Sequence, residues 1–224
     1  MGTSTDAPDI VVDGYRIAAL GPATWQAFAD LAERHNGVWG GCWCTWFHPR
    51  TDPSEREQLG NQEFKRRLVE RGEAHAALVL DGDTAIAWAQ YGTIAELPNI
   101  HHRKQWERTV EQPPDYRITC LFVDRDHRRQ GVAAVAVRGA LALIAAAGGG
   151  RVEAYPHDLP AGKKTSSSFL YNATRTMYAD LGFSYDRPKG QGNCVMVTTV
   201  PGARRRRTRA GSFPHDHFPM IIPG

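Results

Sequence analysis

Seven consecutive β-prone residues, Arg117-Ile118-Thr119-Cys120-Leu121-Phe122-Val123, lead through a polar, basic loop into a long Ala/Val/Leu-rich stretch that ends at Gly148-Gly149-Gly150. An unbroken run of this kind, rather than an alternating one, marks a strand covered on both faces in the middle of a sheet. The following stretch reads as a helix of about four turns stopped by the glycine triplet, and Arg151 to Tyr155 reads as another short strand. Strand, helix and strand in one sheet demand a parallel pair with a right-handed crossover. Upstream, His75 to Leu80 and Thr84 to Tyr91 flank Asp81-Gly82-Asp83, an antiparallel hairpin signal. The spacing also predicts a strand over Tyr15 to Leu20 and a helix with Trp25, Phe28 and Leu31 on one face, stopped by Asn36-Gly37. Asp52-Pro53-Ser54-Glu55 opens a second helix that runs to about Glu70, while residues 93 to 115 carry no clear period. After a polar loop, Pro156 to Ser167, a helix ends near Leu181-Gly182-Phe183, and strands follow around Phe183 to Asp186 and Cys194 to Val200. The order is mixed α/β, antiparallel first and parallel in the middle.

A chain of 224 residues makes one domain with appendages. The expected division is an N-terminal extension over 1–14, the domain over 15–200 and a tail over 201–224. The most apolar stretch, Val132 to Ala147, is interrupted by Arg138 and Gly139 and is too short to span a bilayer. The opening MGTSTDAPDI has no basic or apolar signal regions, so the cytoplasm is the expected location. The formal charge of +3 is uneven: five arginines, Arg204 to Arg207 and Arg209, against Asp216 give the tail +4 and leave the body at −1. No nucleic-acid or membrane face is therefore expected on the body. Cys42, Cys44, Cys120 and Cys194 are too scattered for a disulfide scaffold, and Cys42-x-Cys44 with His48 is a poor zinc pattern, so no metal is expected.

The chemistry sits in Arg128-Arg129-Gln130-Gly131-Val132-Ala133. Small residues at its fourth and sixth positions let backbone approach a ligand. The loop also feeds a helix N-terminus, whose free N–H groups and positive dipole end suit a pyrophosphate. Flanking arginines add charge-assisted bonds.

With its buried strand before it, its helix after it, the parallel strand Val152 to Tyr155 and Tyr178-x-x-x-Gly182-Phe183 further on, this hexapeptide resembles the acetyl-CoA loop, Q/R-x-x-G-x-G/A, of the GCN5-related N-acetyltransferase (GNAT) superfamily. The resemblance covers roughly residues 15 to 200. Within the superfamily the chain is similar to a bacterial subgroup with a Trp/Cys-rich early segment, here Trp39 to Phe47, and an E-A-Y-P strand, here Glu153 to Pro156. It implies a mixed, mostly antiparallel sheet with a central parallel pair splayed at the cofactor site and helices on both faces. It implies acetyl-CoA as co-substrate, with backbone groups of Leu121, Phe122 and Val123 bonding the pantetheine arm. Amides from Arg128, Arg129 and Gln130 through Gly131, Val132 and Ala133 would cradle the pyrophosphate, and Tyr178 would protonate the departing thiolate. Tyr178 can also be read as an aromatic packing beside Phe183.

Two positions depart from the family pattern. Tyr171 replaces an asparagine often seen seven residues before the tyrosine, with Asn172 next to it, and no carboxylate lies on the central strand, where Arg117, Thr119 and Cys120 stand instead. An amine must lose a proton before it attacks, so a base is needed; Glu153, Glu96, His101 and His102 are the candidates. Trp39, Trp43, Trp46 and Phe47 form either core or the lining of the acceptor cleft, with Glu153 beside them as a candidate acceptor contact. His48, Lys163 and Lys164 are further candidates for acceptor or phosphate contact, solvation being the simpler reading of the lysines. The expected activity is acetyl transfer from acetyl-CoA to a primary amine, on a small molecule or a protein, by direct attack. A homodimeric state is left open. The competing reading is a non-catalytic acyl-CoA-binding module that uses the arginine tail to hold a nucleic-acid or protein partner.

Overall fold

The structure is a computed structural model that describes residues 10–49, 53–159 and 171–203. Lys163, Lys164 and the arginines of the tail lie outside the described residues. One eight-stranded sheet organises the chain: β1 (Ile10–Val12), β2 (Tyr15–Ala19), β3 (His75–Asp81), β4 (Thr84–Gly92), β5 (Tyr116–Val123), β6 (Gly149–Ala154), β7 (Ser184–Lys189) and β8 (Asn193–Pro201). Their order across the sheet is β1-β2-β3-β4-β5-β6-β8-β7, and only β5 and β6 pair in parallel. The sheet begins inside the stretch expected to be an extension, because Ile10 to Val12 pair antiparallel with Tyr15 to Ile17 across Asp13-Gly14.

Alternation along the strands divides the core. On β3, Ala77 and Val79 turn to one face while Ala76, Leu78 and Leu80 turn to the other. The first face is covered by α4 (Val132–Ala146), through Val135, Ala136, Val137, Ala140 and Ile144. The second is covered by α1 (Trp25–Glu33) and α2 (Pro53–Glu70), with Phe28, Leu31, Phe64 and Leu68 inside. Gly60 adopts φ 72° within α2 and breaks its helical geometry. Residues 93 to 115 contain the seven-residue helix α3 (Arg103–Thr109), invisible to periodicity because Trp106 is its one buried residue. Helix α5 (Arg175–Asp180) completes the set, its N-cap Thr174 accepting from Met177 N–H.

The glycine triplet does more than stop a helix. Gly148 lies beyond α4, but Gly149 and Gly150 already belong to β6, and a Cβ on Gly149 would stand 2.2 Å from the Val200 carbonyl oxygen. The parallel pairing is short: Tyr116, Arg117 and Ile118 pair with Val152, Glu153 and Ala154. Beyond Ile118 the edge of β5 turned toward β6 has no strand partner among the described residues, and the sheet is splayed there.

Candidate active site

The loop after β5 is tied down at its start. The Asp124 carboxylate accepts from Asp126 N–H at 3.1 Å, from Arg34 at 3.3 Å and stands 3.4 Å from His35 Nε2. Partial burial pulls its pKa upward, but these bonds outweigh burial and leave it lowered. Arg129 (φ 61°) and Gly131 (φ 80°) both adopt left-handed backbone, an alternation that forms anion-binding concavities of successive amides. Gly131 is the N-cap of α4, no side chain caps that helix, and a Cβ added to Gly131 would meet nothing within 4 Å. Free amides and open space thus face each other where the sequence expects a pyrophosphate.

A cleft of about 300 Å³ opens at this point. Leu121, Phe122, Val123, Arg128, Arg129, Gly131, Val132 and Ala133 line it, together with Trp39, Ala173 and Met177. Gln130 does not; its amide donates back to the Asp126 carbonyl at 3.1 Å. The backbone of β5 divides its duties by strand alternation. Leu121 N–H points into the splay and donates to the Tyr171 carbonyl at 2.7 Å, so the backbone of Phe122, one residue on, faces its partner Trp88 on β4. The Val123 carbonyl accepts from Arg128 Nε at 3.2 Å. Phe122 therefore bounds the cleft without an amide to offer it, and the Tyr171 carbonyl holds the ladder position that an added pantetheine strand would take.

A second cavity, about 240 Å³, adjoins the first across Trp39, which lines both. Its other walls are Cys42, Cys44, Trp46, Phe47, His101, Cys120 and Tyr171. The indole N–H of Trp39 is buried and has no hydrogen-bond partner among the described residues. Trp46 stacks on His101 with centroids 4.3 Å apart. Cys44 and Cys120 bring their sulfurs to 2.7 Å, both as free thiols, and burial raises the Cys44 pKa. Behind them Lys65 is fully buried, donating to Gln90 Oε1 at 2.6 Å and 2.9 Å from His48 Nε2. Burial lowers the Lys65 pKa to about 8, against the opposing pull of Cys44, Cys120 and Cys42. Burial, then the Lys65 charge, holds His48 well below the usual histidine range. His48 thus faces a lysine and lines neither cavity.

Several expected contacts resolve differently. Trp43 is core, stacked on Trp25 at 6.2 Å and packed on Phe28, and it lines neither cavity. Glu153 is fully buried, accepting from Trp106 Nε1 at 2.7 Å and Tyr155 OH at 2.8 Å and pairing with Arg187 at 3.3 Å. Its oxygens are committed to joining α3, β6 and β7, so it is neither an acceptor contact nor a base. Glu96 bonds His75 at 3.0 Å and the Thr93 backbone at 2.7 Å, away from both cavities. His102 adopts a left-handed φ of 56° and packs against Gly190. Asn172 is buried and lines neither cavity. Of the four candidate bases, His101 alone borders either cavity, lining the second. Burial, followed by the charges of Lys189, His102 and His157, lowers its pKa and favours neutral imidazole. Tyr178 is 1% exposed, T-shaped on Phe183 at 5.0 Å. Burial raises its pKa, which keeps the phenol protonated but makes it a weaker acid than a thiol.

The model of the Acetyltransferase (GNAT) family matches residues 36–162, more than half of the chain, and the protein belongs to that acetyltransferase family. A search of curated proteins finds no match. Among solved structures the chain is similar to a histone acetyltransferase HPA2-related acetyltransferase from Corynebacterium glutamicum (13% identity, 86% of this chain and 98% of that one, TM-score 0.47). It is also similar to a ribosomal-protein-S5-alanine acetyltransferase from Vibrio fischeri (13%, 87% and 97%, TM-score 0.46). A third is the PaiA N-acetyltransferase from Thermoplasma acidophilum in complex with coenzyme A (12%, 82% and 98%, TM-score 0.44).

Proposed function

We propose that this protein transfers an acetyl group from acetyl-CoA to a primary amine by direct attack, without a covalent enzyme intermediate. The observation that carries the reading is the pair of adjoining cavities: one at the uncapped N-terminus of α4, the other lined by His101 and aromatic rings, with Trp39 shared between them. The first fits a pyrophosphate on Gly131, Val132 and Ala133 with Arg128 and Arg129 at its rim. Acetyl-CoA supplies the thioester.

His101 takes the proton that the incoming ammonium must lose, since its imidazole is kept neutral and it borders the acceptor cavity. Attack forms the N–C bond and breaks the C–S bond. By the alternation along β5 the Val123 N–H, rather than that of Leu121 or Phe122, is left on the cleft edge of the strand to stabilise the oxyanion between those events. The thiolate then takes a proton from Tyr178 or from water. A raised phenol pKa makes transfer from Tyr178 uphill, and Tyr178 lines neither cavity, so water is the favoured donor.

The test is acetyl-CoA-dependent release of free thiol across a panel of amines. No release with any amine, despite tight acetyl-CoA binding, would favour the non-catalytic module. His101→Ala should lower kcat/KM about 100-fold near neutral pH, and the defect should shrink as pH approaches the amine's own pKa. A loss of equal size at every pH rules out a proton-accepting role. Tyr178→Phe keeps the ring; a single-turnover rate lowered about 100-fold supports the phenol as donor, whereas a wild-type rate leaves water.

A further inference from the structure

The second cavity has walls specific enough to name what it holds. Trp39, Trp46, Phe47 and Tyr171 present ring faces at several angles: Trp39 stands at 70° to Tyr171, Trp46 at 83° to Phe47, and Phe47 at 44° to Tyr171. A flat guest meets such a set by offset stacking and edge-to-face contact. The remaining walls are the thiols of Cys42, Cys44 and Cys120 and the imidazole of His101. Among the described residues no carboxylate lines the cavity.

The charges nearby have the wrong sign for a polycation. Lys65 lies buried behind Cys44 and Cys120, and Lys189 lies close enough to His101 to act on it. A second ammonium on the acceptor would be desolvated without a counter-charge and repelled by both. A single amine suffers less, because apolar surroundings push it toward the free base, the form that attacks. At about 240 Å³ the cavity falls below the range of about 300–1,000 Å³ that holds drug-sized ligands. One ring system on a short arm fits; an oligosaccharide does not, and a polyamine is disfavoured by its additional charges rather than by its size.

Resting on the acetyltransferase reading above, we infer that the acceptor is an aromatic monoamine, a primary amine carried on a short arm from one flat ring system, seated between Trp39, Trp46, Phe47 and Tyr171. The ring is held by the indole and phenyl walls while the nitrogen points past His101 toward the Trp39 seam between the cavities.

The experiment uses the full chain in two arms. The first measures acetyl-CoA-dependent thiol release with 2-phenylethylamine and tryptamine against spermidine, an aminoglycoside and a peptide with N-terminal alanine. The second titrates 2-phenylethylamine at equilibrium into the wild type, into Trp46→Ala, which removes a ring wall, and into Cys42→Phe, which enlarges a wall residue to fill the cavity while leaving the four rings in place. Ring amines should be preferred in kcat/KM, and both substitutions should weaken 2-phenylethylamine roughly 10-fold or more, as loss of an aromatic contact and its buried area predicts. Better turnover of spermidine, the aminoglycoside or the peptide overturns this inference and leaves the acetyltransferase reading standing. Binding of 2-phenylethylamine that is sensitive to both substitutions, with no turnover of any amine, supports the cavity's ligand class while the proposed function fails. Absence of both turnover and binding overturns both.

Discussion

Lys65 sits where a lysine is least at home. It is fully buried, and among the described residues it has no carboxylate partner and its Nζ meets only Gln90 and His48. Helical spacing puts Lys65 on the face of Phe64, Leu68 and Val69, unlike Arg66 and Arg67, but only the approach of α2 to β4 and to the cysteine segment closes that face over its ammonium. Its pKa falls from the usual 10.5 to about 8 on folding, chiefly by burial. Between those values the unfolded chain holds more protons at this site than the folded one, so the site's penalty is full below pH 8 and is relieved as pH rises to 10.5. The stability of the wild type relative to Lys65→Met should therefore climb across that window, by an amount on the order of 3 kcal/mol at most. Denaturant unfolding of both proteins from pH 7 to 10.5 measures it, and taking the difference cancels the titrating groups that Lys65 does not touch, leaving His48 and the neighbouring thiols with it. A difference that stays flat means that Lys65 keeps its charge at ordinary cost. The same burial hides the role of Glu153: its residue type suggested a site, but Trp106 and Arg187, 47 and 34 positions away in sequence, make it a strut.

Helix α4 shows at the scale of an element what a pattern can and cannot reveal. Its existence, its glycine start and its place between two parallel strands follow from the run 117–155, because both strands are covered and the crossover has one allowed hand. Its interior glycine does not explain itself until β2 is in place. Gly139 lies over Ile17, and a Cβ there would stand 2.8 Å from Ile17 Cγ2 and 3.1 Å from its Cδ1. In an exposed helix a Gly→Ala change gains about 1 kcal/mol. Here Ile17 is 3% exposed and packed within the core, so the added methyl has to displace it. Gly139→Ala should cost about 1–3 kcal/mol instead, the usual range for overpacking. The companion Ile17→Val trims the side chain that would be struck; if overpacking is the cause, the double variant should lose less than the sum of the two single ones. Additive losses in thermal or denaturant unfolding remove the close contact as the reason for the glycine. The short helix α3 marks the opposite limit, since one buried tryptophan in seven residues creates no period to read.

Across the whole molecule, the cleft at the α4 N-terminus was legible as one stretch of sequence, whereas the second cavity was legible only as scattered candidates, Trp39, Trp46, Phe47 and His101. Loop, glycine and helix N-terminus are contiguous in sequence, whereas the second cavity collects residues from 39–47, 101, 120 and 171, which only the splay of β5 from β6 brings together. That asymmetry makes donor binding the sharper global test. A ligand that binds only the folded state adds about 2.7 kcal/mol at a hundredfold excess over its dissociation constant, so acetyl-CoA should raise the melting temperature, with NADH and ATP doing markedly less. Gly131→Val separates the site from the fold. The position holds φ 80°, which a β-branched residue adopts only under strain of order 1–3 kcal/mol, yet its Cβ would meet no protein atom within 4 Å. The variant should fold with a modestly lower melting temperature and should gain nothing from acetyl-CoA, because its side chain occupies the space before the α4 amides. A folded Gly131→Val protein that is protected as strongly as the wild type would show that the ligand lies elsewhere. Equal protection of the wild type by all three nucleotides would show a nucleotide site without preference for the thioester donor.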